Sequence, residues 1–272
     1  MMSQVLVESV QRQWYYLARQ NCVQHEPKSQ PLTGLLVASI IVVLWLGSWI
    51  SLLFTDITQL TPSIVLAAIV GRTFIQTGLF IVAHDAIHGV VVPGNRQWNQ
   101  WIGQFALMLY ALLPYQKLAL NHSQHHQQPG RVGDPDFHDG IHSSIFGWYL
   151  KFMTGYLDNR QRIVLFFGIG VVFHTLNLKF HVPIANLFLF WIFPIVFSSM
   201  QLFVFGTYLP HRGSTTGAKI EANSHNASSS NYHPILSFLT CYHFGYHWEH
   251  HEYPFLPWYS LPAARQVTKA EQ

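Results

Sequence analysis

The run from Thr33 to Phe54 holds no charged residue in 22 positions. As a helix it covers about 33 Å, enough to cross the hydrocarbon core of a bilayer. Leu60–Ala83 follows after a short link through Asp56, so the pair reads as a helical hairpin. Arg72 and Gln76 interrupt the second run; an arginine at that depth must face protein, water or headgroups, and helix packing is its expected role. Leu187–Leu209 is a third run, and Ile163–Phe180, broken by His174, Asn177 and Lys179, a weaker fourth joined to it through Pro183. Charged residues make up 10% of the chain, against about 25% in soluble domains. The expected fold is therefore an all-α integral membrane protein with about four transmembrane helices, residues 1–272 forming a single membrane domain.

Three histidine clusters lie beside these runs: His84-x-x-x-His88, His122-x-x-His125-His126 and His247-x-x-His250-His251. Residues three or four apart share one face of a helix, so each cluster presents two or three imidazoles in one direction. Imidazole suits iron, copper, zinc and nickel, and eight rings are too many for one ion but right for two. A dinuclear metal site is the expected result. His243, one turn before His247, and His211, just past the run Leu187–Leu209, are further candidate ligands. Asp85 and Glu249, enclosed by these histidines, are candidates to accept the second ring N–H of a ligand and fix its tautomer. Asp134 and Asp136 have a weaker claim to the same role, and Glu252 is a further candidate.

A shared site constrains the topology. If the short apolar segment Trp101–Leu113 crossed the membrane, the first two clusters would face opposite sides. At 13 residues it is also short for a span, so it should lie in the interface or dip in and return. Four spans then put all three clusters on one face. Most Lys and Arg fall on that face and Lys179 alone in a far loop. The positive-inside rule thus places the histidines and both termini in the cytoplasm.

Residues 1–31 form a polar N-terminal segment without the apolar core of a signal peptide. Residues 213–231, rich in Ser, Gly and Asn, read as a flexible cytoplasmic loop. A net charge of +3 without a basic stripe argues against nucleic acid as a partner, and two cysteines exclude a disulfide framework or a Cys-based zinc site.

The stretches HDAIHG (84–89), HSQHHQQPG (122–130), FGTYLPHR (205–212) and CYHFGYHWEHHEYPFLPWYSLP (241–262) resemble the CrtW-type carotenoid ketolases of the membrane fatty-acid desaturase and hydroxylase superfamily. The histidine clusters are signals of the superfamily, and the last stretch is the specific one. The resemblance implies a di-iron (Fe2+) oxygenase that converts the C4 methylene of a β-ionone ring to a ketone by successive hydroxylations. β-Carotene would give echinenone and then canthaxanthin, with O2 as co-substrate.

The chain carries no flavin, nicotinamide or iron–sulfur motif, so electrons come from outside, with reduced ferredoxin at the basic face as the expected donor. An apolar substrate should enter from the bilayer past aromatic residues such as Trp98, Trp101, Phe105, Tyr110, Trp191 and Phe205. The rival enzyme readings are a fatty-acid desaturase or hydroxylase, or a carotenoid β-ring hydroxylase. The non-enzyme rival, a metal-binding or metal-transporting membrane protein, predicts polar residues along the spans, whereas these histidines cluster outside them.

Overall fold

The structure, a computed structural model, describes residues 31–131, 133–138, 140, 143–213 and 225–271. Among these residues it is all-helical. Four helices are long and apolar enough to cross a membrane. They are α1 (Pro31–Leu53), α2 (Pro62–His88), α6 (Asn159–Phe180) and α7 (Ile184–His211). Between and after them lie α3 (Arg96–Ala111), α4 (Tyr115–Gln127), α5 (Ile145–Tyr156), α8 (Pro234–Cys241), α9 (His247–Glu252) and α10 (Leu261–Glu271).

Local chemistry sets the helix starts. Thr61 caps α2, its hydroxyl accepting from the Ile64 N–H, with Pro62 in the first turn where its missing N–H costs nothing. Asp158 and Gln161 form a reciprocal capping box at the start of α6. Helix α2 runs five residues beyond the apolar pattern that ends at Ala83, and stops at Gly89 in a left-handed cap. His84 and His88 are thus helical; their polarity ends the apolar signal, not the helix.

The segment between the first two histidine clusters folds as a helical hairpin packed against α2. At the start of α3, the Asn99 amide donates to the Val92 carbonyl beside the end of α2. At its end, the Tyr110 carbonyl accepts from Gln76, three turns deeper in α2. Leu112, in a left-handed conformation (φ 54°), then reverses the chain. Helix α4 climbs back against α3, the Tyr115 ring filling the space that a Cβ on Gly103 would need, and carries His122, His125 and His126 up beside His84 and His88.

Arg72 is buried among α1, α2 and α7, donating to the carbonyls of Trp45 (3.0 Å) and Phe190 (3.2 Å) and to the Ser48 hydroxyl (2.8 Å). It acts in helix packing. The Phe190 carbonyl belongs to one of two π-helical turns in α7, Phe188–Ile192 and Phe203–Tyr208, which a hydropathy pattern does not announce. Many large apolar side chains on the spans stay exposed, among them Phe166, Phe167 and Leu178, as expected of surfaces meeting lipid rather than water.

Candidate metal centre

All three histidine clusters and His211 converge at one end of the bundle. The donor nitrogens of His84, His88, His122 and His250 form one group, and those of His125, His211, His247 and His251 form another; within each group all lie within 4.8 Å of one another. Each group draws on more than one element. Helix α2 gives two rings to the first, α4 gives one to each, the end of α7 gives His211, and α9 supplies the rest. In the first, His84 Nε2 is 3.2 Å from His250 Nε2 and His88 Nε2 is 2.7 Å from His122 Nε2. His126 Nε2 approaches His250 (2.9 Å) and His122 (3.1 Å), offering a fifth donor there. In the second, the Nε2 atoms of His125 and His251, His211 and His247, and His251 and His247 are 3.0–3.1 Å apart.

The hydrogen bonds fix what those nitrogens carry. His211 Nδ1 donates to the Asn226 carbonyl at 2.8 Å, and a carbonyl can only accept. His125 Nδ1 donates to the Asp134 carboxylate at 2.9 Å. Each of these two rings, when neutral, turns a lone pair at Nε2 toward the other imidazole nitrogens of its group. Two sets of four imidazole donors, each set within reach of a single ion, fit two metal ions. Burial pushes His122, His126, His247, His250 and His251 well below the usual imidazole range, which keeps them in the neutral, ligating form. At His125 burial pulls the same way, but the carboxylates of Asp136 and Asp134 together outweigh it and raise its basicity.

The acidic residues divide differently from the sequence expectation. Asp134, the weaker candidate, makes the closest contact with a ligand-position ring and also accepts from the N–H groups of Gly130 (2.8 Å) and Asp136 (2.8 Å). Asp85 lies 3.4 Å from His84 Nδ1 and accepts from the Trp258 N–H at 3.1 Å. Glu249 bonds no histidine. Its buried carboxylate accepts from Arg265 (2.8 Å), Thr268 (2.8 Å) and Ser229, tying α10 and the 225–231 segment to α9. Glu252 pairs with His225 at 2.7 Å.

His243 stands apart from both groups. Tyr242 and His243, both left-handed (φ 47° and 62°), turn the chain between α8 and α9, so His243 and His247 do not share one helix face. The His243 ring stacks between Tyr246 and Trp258 instead. Within the expected flexible loop, residues 214–224 lie outside the described residues. Its last part is pinned at the site, however. Asn226 bonds His211 and the Pro129 carbonyl, Ser228 bonds the Pro210 carbonyl, and the Ser229 hydroxyl accepts from the Trp248 N–H.

A narrow internal cavity touches both histidine groups, reaching His84 and His122 of the first and His125 and His247 of the second. Its apolar walls include Phe80, Ile87, Leu118, Phe152, Leu202 and Phe244, and its other polar residues are Asp136, Tyr156 and Thr207. A Cβ on Gly206 would overlap the Phe244 ring, so the glycine lets that ring close the cavity beside His84. None of the six aromatic residues expected to line the substrate path borders this cavity: Trp98, Trp101 and Phe105 face outward, Tyr110 and Trp191 are buried, and Phe205 packs on the core. Phe152 and Phe244 carried no sequence signal, because only the fold brings them to the histidines.

Comparison with known proteins places this arrangement. The fatty acid desaturase family profile matches residues 59–169 and 157–272. A beta-carotene ketolase of Paracoccus sp. (strain N81106) is 38% identical over 86% of this chain and 92% of its own length. A beta-carotene 4-ketolase of Haematococcus lacustris is 41% identical over 72% of the chain, and a zeaxanthin 4-ketolase of Chlamydomonas reinhardtii 36% identical over 90%. The chain spans 60% and 56% of the length of these two algal relatives. No solved structure matches it. With profile matches across both halves and these relatives over most of its length, the chain belongs to the fatty acid desaturase family, in the branch of the carotenoid ketolases.

Proposed function

We propose that the protein is a carotenoid 4-ketolase, oxidising the C4 methylene of a β-ionone ring to a ketone. The observation that carries this reading is the apolar cavity that borders both four-histidine groups. It is a place where a hydrocarbon ring can meet two metal ions at once. The ten expected ligands are revised to nine: His84, His88, His122, His126 and His250 for one iron, and His125, His211, His247 and His251 for the other, with His243 outside.

These histidines would hold a pair of irons, which would supply O2 activation and the oxidising power to remove a C4 hydrogen. Each oxidation consumes one O2, two electrons and two protons; one oxygen atom enters the ring as a hydroxyl and the other leaves as water. The second oxidation at the same carbon gives a gem-diol, which loses water to become the ketone. The electrons come from an external one-electron carrier, for which a reduced ferredoxin fits the basic histidine-bearing face.

The chain's own residues hold and orient. Asp134, Asp85 and the Asn226 carbonyl fix ring tautomers, and the phenyl walls exclude water and aim one ring carbon, where positioning is worth most of the rate. The cavity is narrow, so seating a ring requires its apolar walls to move apart. An open apolar groove formed by Met108, Leu112, Leu113, Val164, Phe167 and Gly168 offers the polyene a side-on approach from the bilayer.

Expression in a bacterium that makes β-carotene, with chromatography of the pigments, tests the reading. Echinenone and canthaxanthin are the expected products. Hydroxylated rings without ketone would favour a ring hydroxylase, and unchanged β-carotene with altered fatty acids a desaturase.

A further inference from the structure

Among the residues lining the cavity, Thr207 has a side-chain hydroxyl that bonds no described residue. It lies in the second π-helical turn of α7 and is 4% exposed. Other helical threonines return their hydroxyl to the carbonyl four residues earlier: Thr73 to Ile69 (2.8 Å), Thr77 to Thr73 (3.0 Å), Thr154 to Leu150 (2.9 Å) and Thr175 to Val171 (2.7 Å). This back-bond is the usual resting place of a helical threonine. The Thr207 hydroxyl makes no hydrogen bond to any described residue, and it faces a cavity shared with His84, His122, His125 and His247. The two other non-histidine polar residues there satisfy each other, Tyr156 donating to Asp136.

A hydroxyl that opens on a cavity with no protein group bonded to it is free to bond a ligand that brings a partner. The parent β-ionone ring is a hydrocarbon and brings none. The first oxidation creates one, since the half-oxidised ring carries a hydroxyl on the carbon that must react again. We propose that Thr207 binds the hydroxyl of the C4 alcohol and retains that intermediate beside the histidine groups until its second oxidation. The proposal rests on the ketolase reading. It makes the π-helical turn functional, because a widened turn holds the threonine away from its usual back-bond and leaves the hydroxyl for the ring. Thr207 thereby discriminates between the two substrates of one active site: it adds nothing to binding of the unoxidised ring and holds the alcohol more tightly by one hydrogen bond.

The test compares Thr207→Val, which keeps the shape and removes the hydroxyl, with Thr207→Ser, which keeps the hydroxyl. Each is expressed in β-carotene-producing cells, with pigments separated by chromatography and iron measured on the purified protein. In Thr207→Val the ratio of released 4-hydroxy to 4-keto product should rise roughly three- to tenfold, the worth of one hydrogen bond, while iron content stays near wild type. In isolated membranes its KM for the 4-hydroxy substrate should rise by the same factor relative to its KM for β-carotene. Thr207→Ser should behave as wild type.

An unchanged product ratio in Thr207→Val would overturn the proposal. So would an equal rise in Thr207→Ser, which would make shape the cause, or iron loss in Thr207→Val, which would make the hydroxyl a support of the metal site. An effect seen only with rings already hydroxylated at C3 would assign the contact to that group instead of the C4 alcohol. If the wild-type protein forms no ketone, the ketolase reading itself fails, whatever the variants do.

Discussion

Asp134 shows how much a single partner can decide at this site. It holds the His125 ring through Nδ1 and is itself held by the N–H groups of Gly130 and Asp136. Lys151 clamps the same turn, donating to the carbonyls of Asp134 (3.2 Å), Pro135 (3.3 Å) and Phe137. Replacing such a partner of a metal-bound histidine lowers metal affinity or activity by about 10–100-fold. Asp134→Asn should therefore reduce iron content and ketone yield within that range, whereas Glu249→Gln, whose carboxylate touches no histidine, should keep its iron and lose stability by about 1–3 kcal/mol. The two further candidate histidines should part in the same assay: His211→Ala loses iron, and His243→Ala retains it. The box histidines were legible because their spacing alone puts them on shared faces. The ranking of the carboxylates was not, since adjacency in sequence favoured Glu249 while the Gly130–Phe137 turn brings Asp134 back from nine residues beyond His125. His243 misled for a related reason: i, i+4 spacing matters only inside a helix, and the left-handed pair at Tyr242 and His243 breaks it.

At the scale of elements, the hairpin of α3 and α4 delivers the second histidine cluster. Its tightest point is Gly103 against Tyr115, where any side chain larger than hydrogen meets the ring. Gly103→Val should shift α4 and lower iron occupancy together with thermal stability. Gly170→Ala, on the lipid-facing α6 with nothing close to its new methyl, should leave both unchanged. A thermal-shift assay in detergent with metal analysis separates the two outcomes. The hairpin was foreseeable, because a 13-residue apolar segment is short for a crossing and a shared metal site forbids one. The ends of α2 and the two π turns of α7 were not. Histidines facing a metal site look polar to any hydropathy pattern, and π turns depend on tertiary partners such as Arg72 reaching the Phe190 carbonyl.

At the scale of the whole molecule, four spans and a hairpin bring every histidine of the two groups to one end. The proposed orientation, with the histidines and both termini in the cytoplasm, follows from the positive-inside rule. Reporter fusions after Arg96, after Gly140 and at the C-terminus should report cytoplasm, and fusions near Asp56 and Lys179 the opposite side; reversed signals would invert the protein without altering the site.

The central claim is that nine histidines from α2, α4, α7 and α9 hold two iron ions. Elemental analysis of active protein, purified from membranes and quantified by amino-acid analysis, tests it most directly. Two irons per chain are expected, falling together with ketone formation when a single box histidine, such as His125 or His250, is replaced by alanine. One tightly bound zinc per chain, or ketone formation that survives loss of the iron, would contradict the account.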